Sequence, residues 1–185
     1  APMGYGKTTA VEWYLAERAG AEAPYIVRIS VYSGNLAIFW KSAQDAFARA
    51  GFAFLREYDC PTDGASGGLL IDDLCHALTG EKSCYIFIDD FHLLTDKRAP
   101  GFLCALAGRL PPNVHLILAS RDLFLPAAEL IRLGGKVYQI GTAQLRLNHT
   151  ELAVYTNRCG TALSDEQIDT LLYYSEGWFS AVYLN

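Results

Sequence analysis

Two nearly unbroken apolar runs limit the folds open to this chain more than any other feature: residues 84–88, Cys-Tyr-Ile-Phe-Ile, and residues 114–119, Val-His-Leu-Ile-Leu-Ala. A strand with one face in water alternates apolar and polar residues. A continuous run has both faces covered, as in a parallel sheet packed between helices. The sequence around the two runs supplies such helices. Val11, Tyr14 and Leu15 share one helical face between Lys7 and Ala19, with Gly20 as a stop, and Phe39, Ala43, Ala46, Phe47 and Ala50 form a stripe that follows Asn35 and ends at Gly51. After a loop rich in Gly, Pro, Asp and Ser from Tyr58 to Gly68, Leu70, Ile71, Leu74 and Leu78 restore helical spacing. Phe102, Leu103, Leu106 and Leu110 do the same before Pro111-Pro112. Residues 25–31, Tyr-Ile-Val-Arg-Ile-Ser-Val, read as a further strand from their β-branched content. A helix around Ala127 to Leu133, a turn at Gly134-Gly135 and a short strand from Val137 to Ile140 complete the alternation. The expected fold is α/β, a mainly parallel sheet flanked by helices and joined by right-handed crossovers.

Beyond this region the pattern changes. Asn148 with Glu151, and Ser164 with Gln167, are N-cap signatures three residues apart, each opening a helical stretch. We therefore expect residues 1–147 to form the α/β core and residues 148–185 to begin a helical subdomain.

Composition removes several classes of function. Apolar residues make up 51% and charged residues 19%, with no low-complexity tract, which argues against a disordered or fibrous chain. Fifteen basic against 20 acidic side chains give a net charge of −5 and leave no basic stripe for a nucleic-acid backbone. The apolar runs are too short to cross a bilayer and no signal peptide opens the chain, so a cytoplasmic protein without membrane contact is expected. The five cysteines (Cys60, Cys75, Cys84, Cys104 and Cys159) contain no Cys-x-x-Cys pair and are odd in number, which suits buried free thiols in a reducing compartment. The chain opens at Ala1 without an initiator methionine and reaches a glycine-rich turn within a few residues. The expectation is a segment of a longer protein that lacks the strand leading into that turn.

The turn is Gly4-Tyr5-Gly6-Lys7-Thr8-Thr9, and it runs straight into the first helix. Glycines let a backbone bend so that its N–H groups point inward at phosphate oxygens. A lysine then reaches the β- and γ-phosphates, and a hydroxyl meets Mg²⁺. Gly4, Gly6, Lys7 and Thr8 satisfy these needs, while Ala1 stands where the full pattern has a further glycine. The helix start adds orphan N–H groups and the positive end of a dipole. ATP with Mg²⁺ is the expected cofactor, gripped by Gly4, Tyr5, Gly6, Lys7, Thr8 and Thr9, with Thr8 on the metal.

A second acidic strand end lies where such a site needs one. Asp89 closes the run at residues 84–88 and suits the water shell of Mg²⁺; Asp90 is read as orienting or deprotonating the attacking water, with a capping role in the next turn as the alternative. Arg121 follows the other apolar run and is read as a γ-phosphate sensor, the alternative being a surface arginine paired with Asp122 or Glu129. His92 is read as a turn or packing residue, and Asn35 as a helix N-cap.

Four blocks occur in order: residues 1–9, Ala-Pro-Met-Gly-Tyr-Gly-Lys-Thr-Thr; residues 86–94, Ile-Phe-Ile-Asp-Asp-Phe-His-Leu-Leu; residues 110–121, Leu-Pro-Pro-Asn-Val-His-Leu-Ile-Leu-Ala-Ser-Arg; and residues 176–182, Glu-Gly-Trp-Phe-Ser-Ala-Val. Together they resemble the STAND class of signal-transduction P-loop ATPases, and within it the large LuxR-type bacterial regulators related to the maltotriose-responsive activator. That resemblance implies a P-loop NTPase core, ATP binding with slow hydrolysis that acts as a switch, self-association of the ATP-bound full-length protein, and transcription activation through a C-terminal helix-turn-helix domain that this chain does not contain. It assigns Lys7 and Thr8 to phosphate and Mg²⁺, Asp89 to Mg²⁺, Asp90 to the water and Arg121 to the sensor. Gly177-Trp178 stands where wider relatives place a Gly-x-Pro segment near adenine, without the proline. Two other functions fit the loop alone: a P-loop kinase or phosphotransferase, and a non-hydrolysing module that has lost nucleotide affinity.

Overall fold

The computed structural model describes residues 1–123 and 125–184; Phe124 and Asn185, which fall in the expected core and helical subdomain respectively, lie outside the described residues. The contacts divide the chain into two compact units, Val11–Tyr138 and Ala1–Ala10 with Gln139–Asn185.

The larger unit is α/β. Helix α1 (Lys7–Glu22), whose residues from Val11 onward belong here, is followed by β1 (Tyr25–Ser30), α2 (Leu36–Arg49), a 3-10 turn (Ala53–Glu57), α3 (Gly64–Leu78) and β2 (Cys84–Asp89). A second 3-10 turn (Phe91–Leu93), α4 (Arg98–Arg109), β3 (Val114–Leu118) and α5 (Ala127–Leu133) complete it. The three strands lie in the order β1-β2-β3 and both pairs are parallel, with Ser30 opposite Asp89 and Ile88 opposite Leu118. The continuous apolar run of β2 has the cause inferred from it. Cys84, Ile86 and Ile88 pack into a core built from α2, α3 and α4, while Tyr85 and Phe87 face Leu15 of α1 and Ala119. Because strand side chains alternate between faces, both faces of β2 are dry, and each buried Ile or Phe contributes about 1.5–3 kcal/mol relative to exposure. On the α1 face, Tyr85 stacks on His115 at 4.8 Å between ring centres and meets Tyr14 edge-on at 5.8 Å.

Local chemistry sets the helix ends. Asn35 caps α2, its Oδ1 accepting from the amides of Ala37 and Ile38 at 2.8 and 3.3 Å, as read from the sequence. Helix α3 begins inside the stretch expected to be loop through Gly68. The Asp63 carboxylate accepts from the Ser66 amide at 2.8 Å and the Ser66 hydroxyl accepts from the Asp63 amide, so a capping box outweighs the weak helix propensity of Gly64, Gly67 and Gly68. Helix α1 likewise runs past Gly20 to Glu22, where Arg18 pairs with Glu22 at 2.9 Å across one turn. No strand forms at residues 137–140. A 3-10 turn over Gly134–Lys136 precedes them, and Tyr138 and Ile140 are 84% and 54% exposed, so alternating apolar residues there have neither a ladder partner nor a core to cover. The cysteines are all free, but only Cys84 and Cys104 are buried; Cys60 and Cys75 are half-buried and Cys159 is exposed, which corrects the expectation of five buried thiols.

In the smaller unit the helices are α6 (Thr142–Leu145), α7 (His149–Arg158), α8 (Asp165–Ser175) and α9 (Phe179–Leu184). Leu152, Ile168 and Val182, one residue from each of the last three, form its core. Both expected capping boxes are present. Asn148 Oδ1 accepts from the Glu151 amide at 3.0 Å, and Ser164 Oγ accepts from the Gln167 amide at 3.3 Å. The Glu151 carboxylate and the Gln167 side-chain oxygen return the contact, each accepting from its cap residue's amide at 2.9 Å. Among the described residues no helix is long and apolar enough to cross a membrane.

Candidate functional site

The glycine turn bends where the sequence says it must. Gly4 and Gly6 take φ of +82° and +70°, the left-handed region that a Cβ disfavours, and α1 starts at the next residue, Lys7. The first helical bond runs from the Ala10 amide to the Gly6 carbonyl at 2.8 Å. Lys7 folds back over the turn, its Nζ donating to the carbonyls of Ala1 and Pro2, both at 2.7 Å. Thr8 and Thr9 are exposed on the first turn of the helix.

The same turn is held from one side by the segment that opens α9. Trp178 Nε1 donates to the Met3 carbonyl at 3.2 Å. The Gly4 carbonyl accepts twice from Ser180, from its amide at 2.9 Å and its hydroxyl at 3.0 Å. A Cβ on Gly4 would stand 2.5 Å from Ser180 Oγ and 2.7 Å from Trp178 Nε1; one on Gly6 would stand 3.3 Å from the Phe179 ring. Gly4 is therefore required twice, by its backbone angle and by the approach of Trp178. Gly177 has a reason of its own, since with φ +71° its Cβ would lie 2.5 Å from the Leu147 carbonyl, and the Leu147 amide donates to its carbonyl at 2.9 Å. Sequence reasoning considered Gly177-Trp178 only as a place for adenine. The contact of residues 178–180 with the turn was missed, although the Glu-Gly-Trp-Phe-Ser-Ala-Val block was the available signal.

The acidic pair lies in the larger unit, at the C-terminal edge of its sheet. Asp89 is the last residue of β2; its carbonyl accepts from the Val31 amide at 3.0 Å and its Oδ1 accepts from the Asp90 amide at 2.9 Å. Asp90 adopts a left-handed conformation (φ 53°, ψ 36°) that is uncommon for a residue with a side chain, and its side chain is half exposed. The sharp bend lets the chain leave the sheet at once: the Phe91 amide donates to the Ala119 carbonyl at 2.9 Å, and Ala119 in turn donates to the Ile88 carbonyl at 2.9 Å. Those two bonds tie the end of β2 and the segment after it to the segment after β3, where Arg121 follows Ser120. Arg121 is exposed and makes no ion pair among the described residues, Glu129 being taken by Arg132 at 2.7 Å. His92 is unusual. Its side chain is 9% exposed, neither ring nitrogen has a hydrogen-bond partner among the described residues, and its Nδ1 is 3.9 Å from Asp90 Oδ1.

The structure thus gathers Gly4, Tyr5, Gly6, Lys7, Thr8 and Thr9 in one unit, and Asp89, Asp90 and Arg121 along one sheet edge in the other. Among the described residues no group of three or more His, Cys, Asp or Glu side chains could hold a metal ion by itself.

No protein-family model matches the chain. Among curated proteins it is similar to the HTH-type transcriptional regulator MalT of Vibrio campbellii, 23% identical over 196 residues that cover 99% of this chain and 20% of that protein. The MalT regulators of Vibrio parahaemolyticus and Yersinia pestis are 22% and 24% identical with the same coverage. The chain spans about a fifth of the length of these relatives. The resemblance read from four sequence blocks is borne out: over practically its whole length this chain is similar to the MalT-type HTH transcriptional regulators.

Proposed function

We propose that this chain is the ATP-binding switch segment of a transcription regulator with a P-loop NTPase core. The observation that carries the reading is the turn at Gly4 to Lys7: two left-handed glycines, a helix that begins at the next residue, and a lysine folded back over the bend. A turn of this shape presents amides and an ammonium to an anion, and the α1 dipole adds to both. The residues also suit the metal. Mg²⁺ keeps most of its waters and takes one or two protein ligands, and the Thr8 hydroxyl and the Asp89 carboxylate are oxygen donors of the kind it takes.

In this reading Gly4, Tyr5, Gly6, Thr8 and Thr9 cradle the phosphates and Lys7 exchanges its two carbonyl partners for β- and γ-oxygens. Mg²⁺-ATP supplies a cleavable phosphoanhydride and its charge neutralisation. Asp90 orients the water and Arg121 reports on the γ-phosphate. Hydrolysis is slow, and nucleotide state controls self-association of the whole protein, with DNA bound through a helix-turn-helix region such as the relatives' name describes.

The test is Mg²⁺-dependent ATP titration of a version of the chain extended upstream of Ala1, beside its Lys7→Ala and Asp89→Asn variants. Lys7→Ala should abolish binding and Asp89→Asn should remove its dependence on Mg²⁺. Unchanged binding in Lys7→Ala refutes the phosphate loop, and no binding by the parent favours a module without nucleotide.

A further inference from the structure

The contact between residues 178–180 and the glycine turn does more than fill space. A peptide unit is planar and trans, so its C=O and its N–H point in opposite directions. Fixing the Met3 carbonyl toward Trp178 therefore turns the Gly4 amide the other way, and fixing the Gly4 carbonyl toward Ser180 does the same for the Tyr5 amide. Three hydrogen bonds on one side of the turn aim two successive N–H groups at the opposite side. The absence of a side chain on Gly4 lets the indole come this close, since an added Cβ would meet Trp178 Nε1 at 2.7 Å.

We propose that Trp178 and Ser180 are positioning residues for the phosphate loop, holding the Met3 and Gly4 carbonyls so that the Gly4 and Tyr5 amides face the anion. The inference rests on the nucleotide-binding reading and adds a regulatory consequence to it. The start of α9 belongs to the helical part of the chain, so any rearrangement that withdraws residues 178–180 releases two carbonyls and lets both amides turn away. Phosphate affinity is thereby coupled to the position of a helical segment that itself touches phosphate only through the loop. This role differs from adenine contact, the one suggested by sequence position.

The experiment compares Trp178→Phe, which keeps an aromatic ring and removes the donor, with Ser180→Ala and Ser180→Thr. The first measurement needs no nucleotide: hydrogen exchange at the Ser180 amide, which donates to Gly4, read beside amides of α7 and α8. Losing one neutral hydrogen bond should speed Ser180 exchange roughly fivefold in Trp178→Phe, with α7 and α8 unchanged. The second is Mg²⁺-ATP affinity of the upstream-extended chain, which should fall roughly fivefold or more in Trp178→Phe and in Ser180→Ala and return toward the parent value in Ser180→Thr. Acceleration spread evenly over α7 and α8 would mean a general structural role and overturn the proposal, as would parental ATP affinity in both Trp178→Phe and Ser180→Ala. If the parent chain binds no ATP, the nucleotide reading fails by itself, and unaltered Ser180 exchange in Trp178→Phe would show that the clamp fails as well.

Discussion

One methyl group, added at two glycines, should move stability in opposite directions. Gly4 precedes α1 and Gly20 lies within it, and the two differ in surroundings. At Gly4 the backbone is left-handed (φ +82°), which costs a residue with a Cβ about 1–2 kcal/mol. The new Cβ would also lie 2.5 Å from Ser180 Oγ, 2.7 Å from Trp178 Nε1 and 2.9 Å from Trp178 Cζ2. The serine hydroxyl can rotate away, but the indole cannot without leaving the Met3 carbonyl. Losing one or two neutral hydrogen bonds adds about 1–2 kcal/mol, for a total near 2–4 kcal/mol. Gly20 lies inside α1 with nothing within 4 Å of the added Cβ, so Gly20→Ala should stabilise by about 1 kcal/mol through reduced backbone entropy in the unfolded chain. Urea unfolding followed by circular dichroism, with equal slopes for both variants, measures the difference. Gly4→Ala as stable as the parent would refute the packing described for residues 178–180, and a destabilising Gly20→Ala would refute a helix running through that position.

Other outcomes follow from single features. The Arg98 side chain, donating to both oxygens of Asp96, is the main reason the Asp96 carboxyl lies at about 2, below its ordinary value of 3.8. A depressed folded-state value makes this stabilisation fully present above about pH 4 and lost as pH falls through 2, so Asp96→Asn should flatten the acid limb of the stability profile in that window; an unchanged limb counts against the pair. Cys159 is exposed, whereas burial pushes the Cys84 thiol up to about 11, so a thiol reagent should label Cys159 first and Cys84 only on unfolding, as peptide mass mapping can show. The buried His92 ring has no hydrogen-bond partner among the described residues, so His92→Leu should hold or raise stability, by up to about 1 kcal/mol; a loss above that would mean the ring is satisfied in solution.

The order of strands and helices was legible because it depends on short-range chemistry. The run Cys-Tyr-Ile-Phe-Ile announces a strand with two dry faces, and β2 has them. Asn148 with Glu151 and Ser164 with Gln167 are complete within four residues, so both helix starts could be read directly. Where local signals competed, the reading failed. Glycines around residue 64 argued for loop until the Asp63 box started α3, and residues 137–140 alternate like a strand but gain no partner.

The sequence by itself determined that the chain would build a parallel sheet between helices and begin with a turn shaped by Gly4 and Gly6. Periodicity, caps and glycine angles are properties of neighbours along the chain. Only the tertiary structure decided what holds that turn. Trp178 and Ser180 reach Met3 and Gly4 across 175 and 176 residues of chain. No local pattern specifies such a contact, because its energy comes from two carbonyls, an indole and a serine that meet only once the helices have packed.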